Sequence, residues 1–145
     1  MYPINFSFME DCRIGSVSGL TLWNGELYLG RLKLNNVAWF STRREKAVGW
    51  AKQRLTDCLL GEKEPEVYGI RLSVAVPVLF YMKGLCQLFH DMYEIDSLGF
   101  DACSMHEVIR QDFIKLIYDL PFNGILVNDD HYLLWSFDTF SVPIN

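Results

Sequence analysis

The sequence has little of what marks most specialised classes. Its 145 residues contain no run of like charge, and the net charge is −5. With no basic stripe to neutralise phosphates, nucleic acid is a poor default partner, whereas a basic protein or a small anionic ligand is not disfavoured. Met1 to Glu10 shows neither the basic n-region nor the apolar h-region of a signal peptide. The longest apolar run, Val74 to Met82, is interrupted by Pro77. It falls far short of the ~20 residues that cross a bilayer, so no membrane partner is expected. The four cysteines, Cys12, Cys58, Cys86 and Cys103, include no C-x-x-C pair, and two lie in apolar patterns. That favours free thiols over a disulfide framework, hence a reducing, cytoplasmic location in the producing or host cell.

Catalytic signatures are equally sparse. There is no P-loop, no G-x-G-x-x-G fingerprint and no G-x-S-x-G elbow. His90, His106 and His131 are scattered, and only His90 has an acidic residue, Glu94, at i+4. A solvated helix end explains that pair better than a metal site, and no metal is expected.

What is present is apolar and aromatic: 50% of residues are hydrophobic and 14% aromatic. Such a chain can bury one substantial core, so residues 1–145 read as a single domain. Met1 to Ser18 alternates weakly, as an extended arm. Leu20 to Asn24 reads as a strand, Glu26 to Leu34 as a half-buried strand or crossing, and Val37 to Phe40 as a short strand. Thr42-Arg-Arg-Glu45 has the form of a capping box, opening a helix with Ala47, Trp50 or Ala51, Leu55, Cys58 and Leu59 inward and Gly61 at its end. Glu66 to Phe80 is valine-rich and alternating, one strand or two broken at Pro77, with the proline at an edge or bulge. Lys83 to Tyr93 is a helix burying Leu85, Leu88, Phe89 and Met92. Ser104-Met-His-Glu107 is a second capping box, before a helix burying Val108, Ile109, Phe113, Leu116, Ile117 and Leu120 and stopped by Pro121. Phe122 to Val127 and His131 to Phe137 are strands around the turn Asn128-Asp-Asp130, and the last residues trail off extended. The class is α+β, mainly antiparallel, with about three helices.

Three places carry chemistry. Asn24-Gly25 is ordinarily a turn; alternatively Asn24 faces a pocket and Gly25 lets a ligand lie on bare backbone. Trp39 is ordinarily core; alternatively its ring walls a flat-ligand site, with Ser41 at the strand end. Asp129 and Asp130 ordinarily sit in a solvated turn; alternatively one projects into the same pocket and stabilises an oxocarbenium.

These residues carry a resemblance. Leu22-Trp-Asn-Gly25, then Val37-Ala-Trp-Phe-Ser-Thr42 with Glu45 and a small-residue helix, resembles the front half of the ADP-ribosyltransferase superfamily, in its diphtheria-toxin and poly(ADP-ribose) polymerase branch. Glu66-Val-Tyr-Gly-Ile-Arg-Leu72 looks like the family's central strand. Phe122-Asn-Gly-Ile-Leu-Val127 with His131-Tyr-Leu-Leu-Trp-Ser-Phe-Asp138 looks like its closing strands. The resemblance implies two small, mainly antiparallel sheets with an NAD cleft between them. It places Asn24 where the family has the ribose-binding histidine, Trp39 where a tyrosine stacks on nicotinamide, and His131 at the late glutamate, with Asp129 and Asp130 just before it. The implied roles are ribose contact for Asn24, backbone contact for Gly25, the nicotinamide face for Trp39, cofactor contact for Ser41 and His131, and oxocarbenium support for Asp130 or Asp129. The implied activity is NAD-dependent ADP-ribosylation of a macromolecular acceptor, as in bacterial effectors and phage counter-defence proteins that act on a host protein. Because all three triad positions differ, the alternative is the same fold without NAD chemistry, binding and blocking a protein partner.

Overall fold

The computed structural model describes residues 4–25, 37–57 and 66–144. Expectations for Glu26 to Leu34, the turn after it, the inward positions Leu55, Cys58 and Leu59, the helix-ending Gly61 and the loop to Pro65 lie outside that description. Within it the chain is α+β. A 3-10 turn at Ser7–Asp11 precedes β1 (Arg13–Val17), β2 (Thr21–Asn24), β3 (Val37–Ser41), α1 (Arg44–Asp57), β4 (Tyr68–Leu72) and β5 (Val76–Phe80). Then come α2 (Leu85–Tyr93), α3 (Ala102–Ile114), β6 (Gly124–Val127), β7 (His131–Trp135), a second 3-10 turn and β8 (Ser141–Ile144).

The strands form one eight-stranded sheet, ordered β1-β5-β6-β7-β3-β2-β4-β8, where two sheets were expected. Every described pair is antiparallel except β5–β6, whose crossover contains α2 and α3. The join between β2 and β3 is narrow: the described residues pair only Trp23 with Ser41. The segment that was expected to trail off extended becomes β8 instead, because its backbone finds the outer side of β4.

This sheet cannot be flat. β4 and β5 stand five strand positions apart, roughly 24 Å in a plane. Only Ser73–Ala75 links them, and four Cα steps reach about 14 Å at most. The sheet therefore curls until its ends face one another. One core fills the inside of the curl: Leu22, Ile70 and Leu72 from β2 and β4 meet Val76, Val78, Leu126, Leu134 and Phe40. The other core lies between the opposite face and the helices, where Trp39, Leu133, Trp135 and Ile125 pack against Leu88, Phe89, Met92, Ile109 and Phe113. With both faces covered, every residue of β3 is buried, and alternate side chains enter alternate cores.

Local details follow from the same packing. The long valine-rich stretch breaks at Ser73–Ala75, before Pro77. β5 is an interior strand rather than an edge, yet it tolerates the proline. The carbonyl of Pro77 accepts from the Asn123 amide at 2.8 Å, so its missing donor also points toward β6, whose ladder with β5 starts only at Leu79. α2 buries Leu85, Leu88, Phe89 and Met92, as its 3.6-residue period requires. α3 starts earlier than expected: Asp101 accepts from the Ser104 amide at 2.7 Å, leaving Glu107 to pair with Arg110. It also ends earlier, at Ile114, and turns carry the chain to Pro121. Among the described residues no helix is long and apolar enough to cross a membrane.

Candidate functional site

The residues singled out in the sequence meet where β2, β3 and β7 lie side by side under α1. β3 pairs with β7 so that Ser41 stands opposite His131 and Trp39 opposite Leu133. Asn24 ends β2, one residue beyond Trp23, the partner of Ser41. The turn before β7 is set by Asn128, whose φ of 62° is left-handed, a conformation asparagine adopts at modest cost. It leaves Asp129 exposed and turns Asp130 inward, where it is 4% exposed.

Asp130 is the electrostatic centre of this cluster. Its Oδ2 accepts from the Ser41 hydroxyl at 2.6 Å, and the Lys46 ammonium lies 3.6 Å from the same oxygen. Its Oδ1 accepts from the Thr42 amide at 2.9 Å and from the Thr42 hydroxyl. Ser41 Oγ in turn accepts from the Arg43 amide at 3.0 Å. Burial pushes the Asp130 pKa up, but the bonds from Ser41 and Thr42 and the charge of Lys46 outweigh it and hold the carboxyl below its ordinary 3.8. Asp130 therefore ties Ser41 and Thr42, which lead into α1, to the turn before β7. Thr42 donates its hydroxyl to Asp130, whereas the capping-box reading had it accept from an early helical amide. An anionic carboxylate also suits the positive end of the helix dipole.

The other positions are equally engaged. Asn24 is fully buried, and its amide donates to the Trp39 carbonyl at 2.8 Å. Trp39 is 0% exposed; its indole N–H donates to the His106 carbonyl at 2.9 Å, and the His106 ring lies 4.5 Å from its own. Gly25 faces α1: a Cβ there would sit 1.6 Å from the Ala47 carbonyl oxygen. The glycine allows close approach of helix backbone, which is the approach the sequence had reserved for a ligand. His131 stands edge-on to Trp50 at 5.4 Å and to His106 at 5.7 Å. Its Nδ1 is buried and has no hydrogen-bond partner among the described residues.

As placed, neither ring face of Trp39 is exposed, and both Asp130 oxygens accept hydrogen bonds. His106, Trp50 and Lys46 complete the cluster and were not foreseen. They come from helices, and nothing in a lone histidine or lysine signals which distant strand it will meet. The expected solvated pair His90 and Glu94 separates: His90 is exposed, with Nδ1 3.7 Å from Asp96, and Glu94 accepts from Asn5 at 3.2 Å. Among the described residues no group of three or more histidine, cysteine, aspartate or glutamate side chains could hold a metal ion. Cys12, Cys86 and Cys103 are free thiols.

The cluster makes stability depend on acid in two stages. Burial pushes the His131 pKa below its ordinary 6.5, Lys46 adds to this, and Asp130 and Asp129 oppose it; the ring of His106 faces it across the cluster. A depressed folded-state pKa means the unfolded chain takes the proton first as pH falls. The contribution of His131 is therefore full above pH 6.5 and begins to decline below it. A second loss follows below pH 3.8, as Asp130 is protonated in the unfolded chain before the folded one. Denaturant titrations across this range should show both stages, and His131→Gln should remove the upper one alone. A His131→Gln variant with an unchanged upper stage would place that titration elsewhere.

The chain matches no protein-family model, no curated protein sequence and no solved structure.

Proposed function

We propose that the chain is a protein-binding module on an ADP-ribosyltransferase-like frame, in which the positions that hold NAD in active relatives are filled by the module's own packing. The observation that carries this reading is Trp39. At the nicotinamide-stacking position it is wholly buried, its N–H is bonded to the His106 carbonyl, and the imidazole of His106 lies against it. Opening a stacking face would mean withdrawing α3 from β3 and leaving the buried indole N–H without its acceptor, which costs about 1–3 kcal/mol. Asp130 supports the same reading: a carboxylate already accepting from Ser41 and Thr42 has little capacity left for a developing cation.

A second reading, NAD-dependent transfer to a macromolecular acceptor, has one observation in its favour. Asn24, Trp39, Ser41, Asp130 and His131, distant in sequence, do lie together. Calorimetry with NAD separates the two, with labelled NAD and a cell lysate as its companion. The module should give no heat of binding, no NAD hydrolysis and no label transfer. Saturable NAD binding with label transfer would overturn it in favour of the transferase.

A further inference from the structure

Beyond the carboxyl end of β5, one of the two parallel strands, lies a groove of about 620 Å³. This end of parallel strands is where α/β sheets open crevices for small ligands, and the size suits one. The N-terminal segment from Asn5 to Arg13 borders the groove on one side and α2 on the other. Phe8, Phe80 and Tyr81 supply aromatic surface between them. None of the lining residues belongs to the Asp130 cluster.

The groove carries charge of both signs, and the charges do not pair. Arg13 and Lys83 face Asp11, Asp91 and Glu94, yet among the described residues no ion pair joins any of the five to another. Neutral groups hold them instead. Asp91 accepts from the Tyr81 hydroxyl and from Gln87 at 2.8 Å, and Glu94 accepts from Asn5 at 3.2 Å. The Arg13 guanidinium lies 4.9 Å over the Phe80 ring. Such bonds fix the carboxylates without neutralising them. Burial pushes the Asp91 pKa up, but the bonds from Tyr81 and Gln87 and the charge of Lys83 outweigh it and hold the carboxyl below its ordinary 3.8.

The two signs also lie at different ends. Arg13 stands opposite Phe80 at the end of β5, and Lys83 follows just before α2. Asp91 and Glu94 come from the far end of that helix, and from Gly84 to Asp91 it rises roughly 10 Å. Three residues of extended chain span roughly the same distance. Three carboxylates against two cations disfavour an anion, and a simple cation would leave Arg13 and Lys83 unanswered. A ligand with a positive and a negative end answers both poles.

We propose that this groove binds a short free peptide of about three residues by its two termini, the ammonium between Asp91 and Glu94 and the carboxylate at Arg13 and Lys83. Its apolar side chains lie against Phe8, Phe80 and Tyr81. The planar guanidinium of Arg13, already oriented by the Phe80 ring, presents its N–H edge to the carboxylate. Exposed Asp11, two residues before Arg13, takes no part in the binding and keeps a second anion away. This small-molecule site goes beyond the protein-binding reading and does not depend on it.

The test is calorimetry of the full chain with the tripeptide alanyl-phenylalanyl-alanine, its N-acetyl form, its C-terminal amide and free phenylalanine. The free tripeptide should bind about tenfold tighter than each of the other three, a difference of about 1.4 kcal/mol. Lys83→Gln and Glu94→Gln, both at exposed positions, separate the two ends. Lys83→Gln should shrink the margin over the amide and leave the margin over the N-acetyl form; Glu94→Gln should do the reverse. Equal binding of the N-acetyl form or the amide would remove recognition of the termini, and equal binding of phenylalanine would remove the span. Either overturns the proposal, as does the lack of saturable heat from the tripeptide. Margins that neither variant alters would overturn it too, by placing the peptide elsewhere. Because the groove shares no residue with the Asp130 cluster, none of these results bears on the outcome of the NAD titration.

Discussion

Asp130→Ala should lower the stability of the fold by about 3 kcal/mol, a fall of roughly 10 °C in Tm for a chain of this size. The substitution removes an anion that accepts from Ser41 and twice from Thr42 and lies beside Lys46. Hydrogen bonds to a buried charge are worth more than neutral ones, and the Thr42 amide and the two hydroxyls left behind lose their shared acceptor. Two companions separate the contributions. Asp130→Asn keeps an acceptor for the Thr42 amide and should cost about half as much. Lys46→Ala removes only the ion pair, whose ammonium side chain is 36% exposed, and should cost less than about 1 kcal/mol. Thermal melts of the three variants rank the terms. A Lys46→Ala loss as large as that of Asp130→Ala would mean that the ion pair, rather than the bonds from Ser41 and Thr42, holds α1 in place.

Gly25→Ala should be comparably damaging, for a reason unrelated to backbone conformation. The added methyl would lie 1.6 Å from the Ala47 carbonyl oxygen and 2.4 Å from its carbon. Both sides of that clash are backbone, so no side chain can rotate away. Either α1 lifts from β2 or the end of β2 moves, and overpacking of this kind costs about 3 kcal/mol. The control is in the same helix. Gly49 is exposed in α1 and a Cβ there meets nothing within 4 Å, so Gly49→Ala should stabilise by up to about 1 kcal/mol. Denaturant midpoints for the pair should move in opposite directions. If both variants gain stability, α1 does not approach β2 as closely as the structure places it.

Much of the element order was legible because it is written locally. The spacing of Leu85, Leu88, Phe89 and Met92 marks α2, and the alternation Val37, Trp39 against Ala38, Phe40 marks β3, whatever lies around them. The Asn128–Asp130 turn and the pair of strands beside it were legible for the same reason. What the sequence does not show is long-range. The Thr42 and Ser104 boxes have the right spacing, yet Thr42 bonds Asp130 of a distant turn, and Asp101, one turn earlier, accepts from the Ser104 amide. The curl of the sheet depends on β4 and β5 facing one another, and Ser73–Ala75 looks like any short link. At the candidate site, the residues singled out in the sequence lie together, since neighbouring strands carry them. It did not show that α1 and α3 would cover them, because a buried tryptophan and a ligand-stacking tryptophan are the same letter in the same pattern.

The bonds of Asp130 also bear on the order of events in folding. Ser41 and Asp130 are 89 positions apart, so the bond between them waits for β7 to reach β3. Contacts of such separation form after their loop-closure entropy has been met, toward the native side of the barrier. Substitutions at Asp130 should therefore accelerate unfolding far more than they slow refolding. This carboxylate would act as a latch on the finished molecule, governing how long it stays folded more than how quickly it gets there.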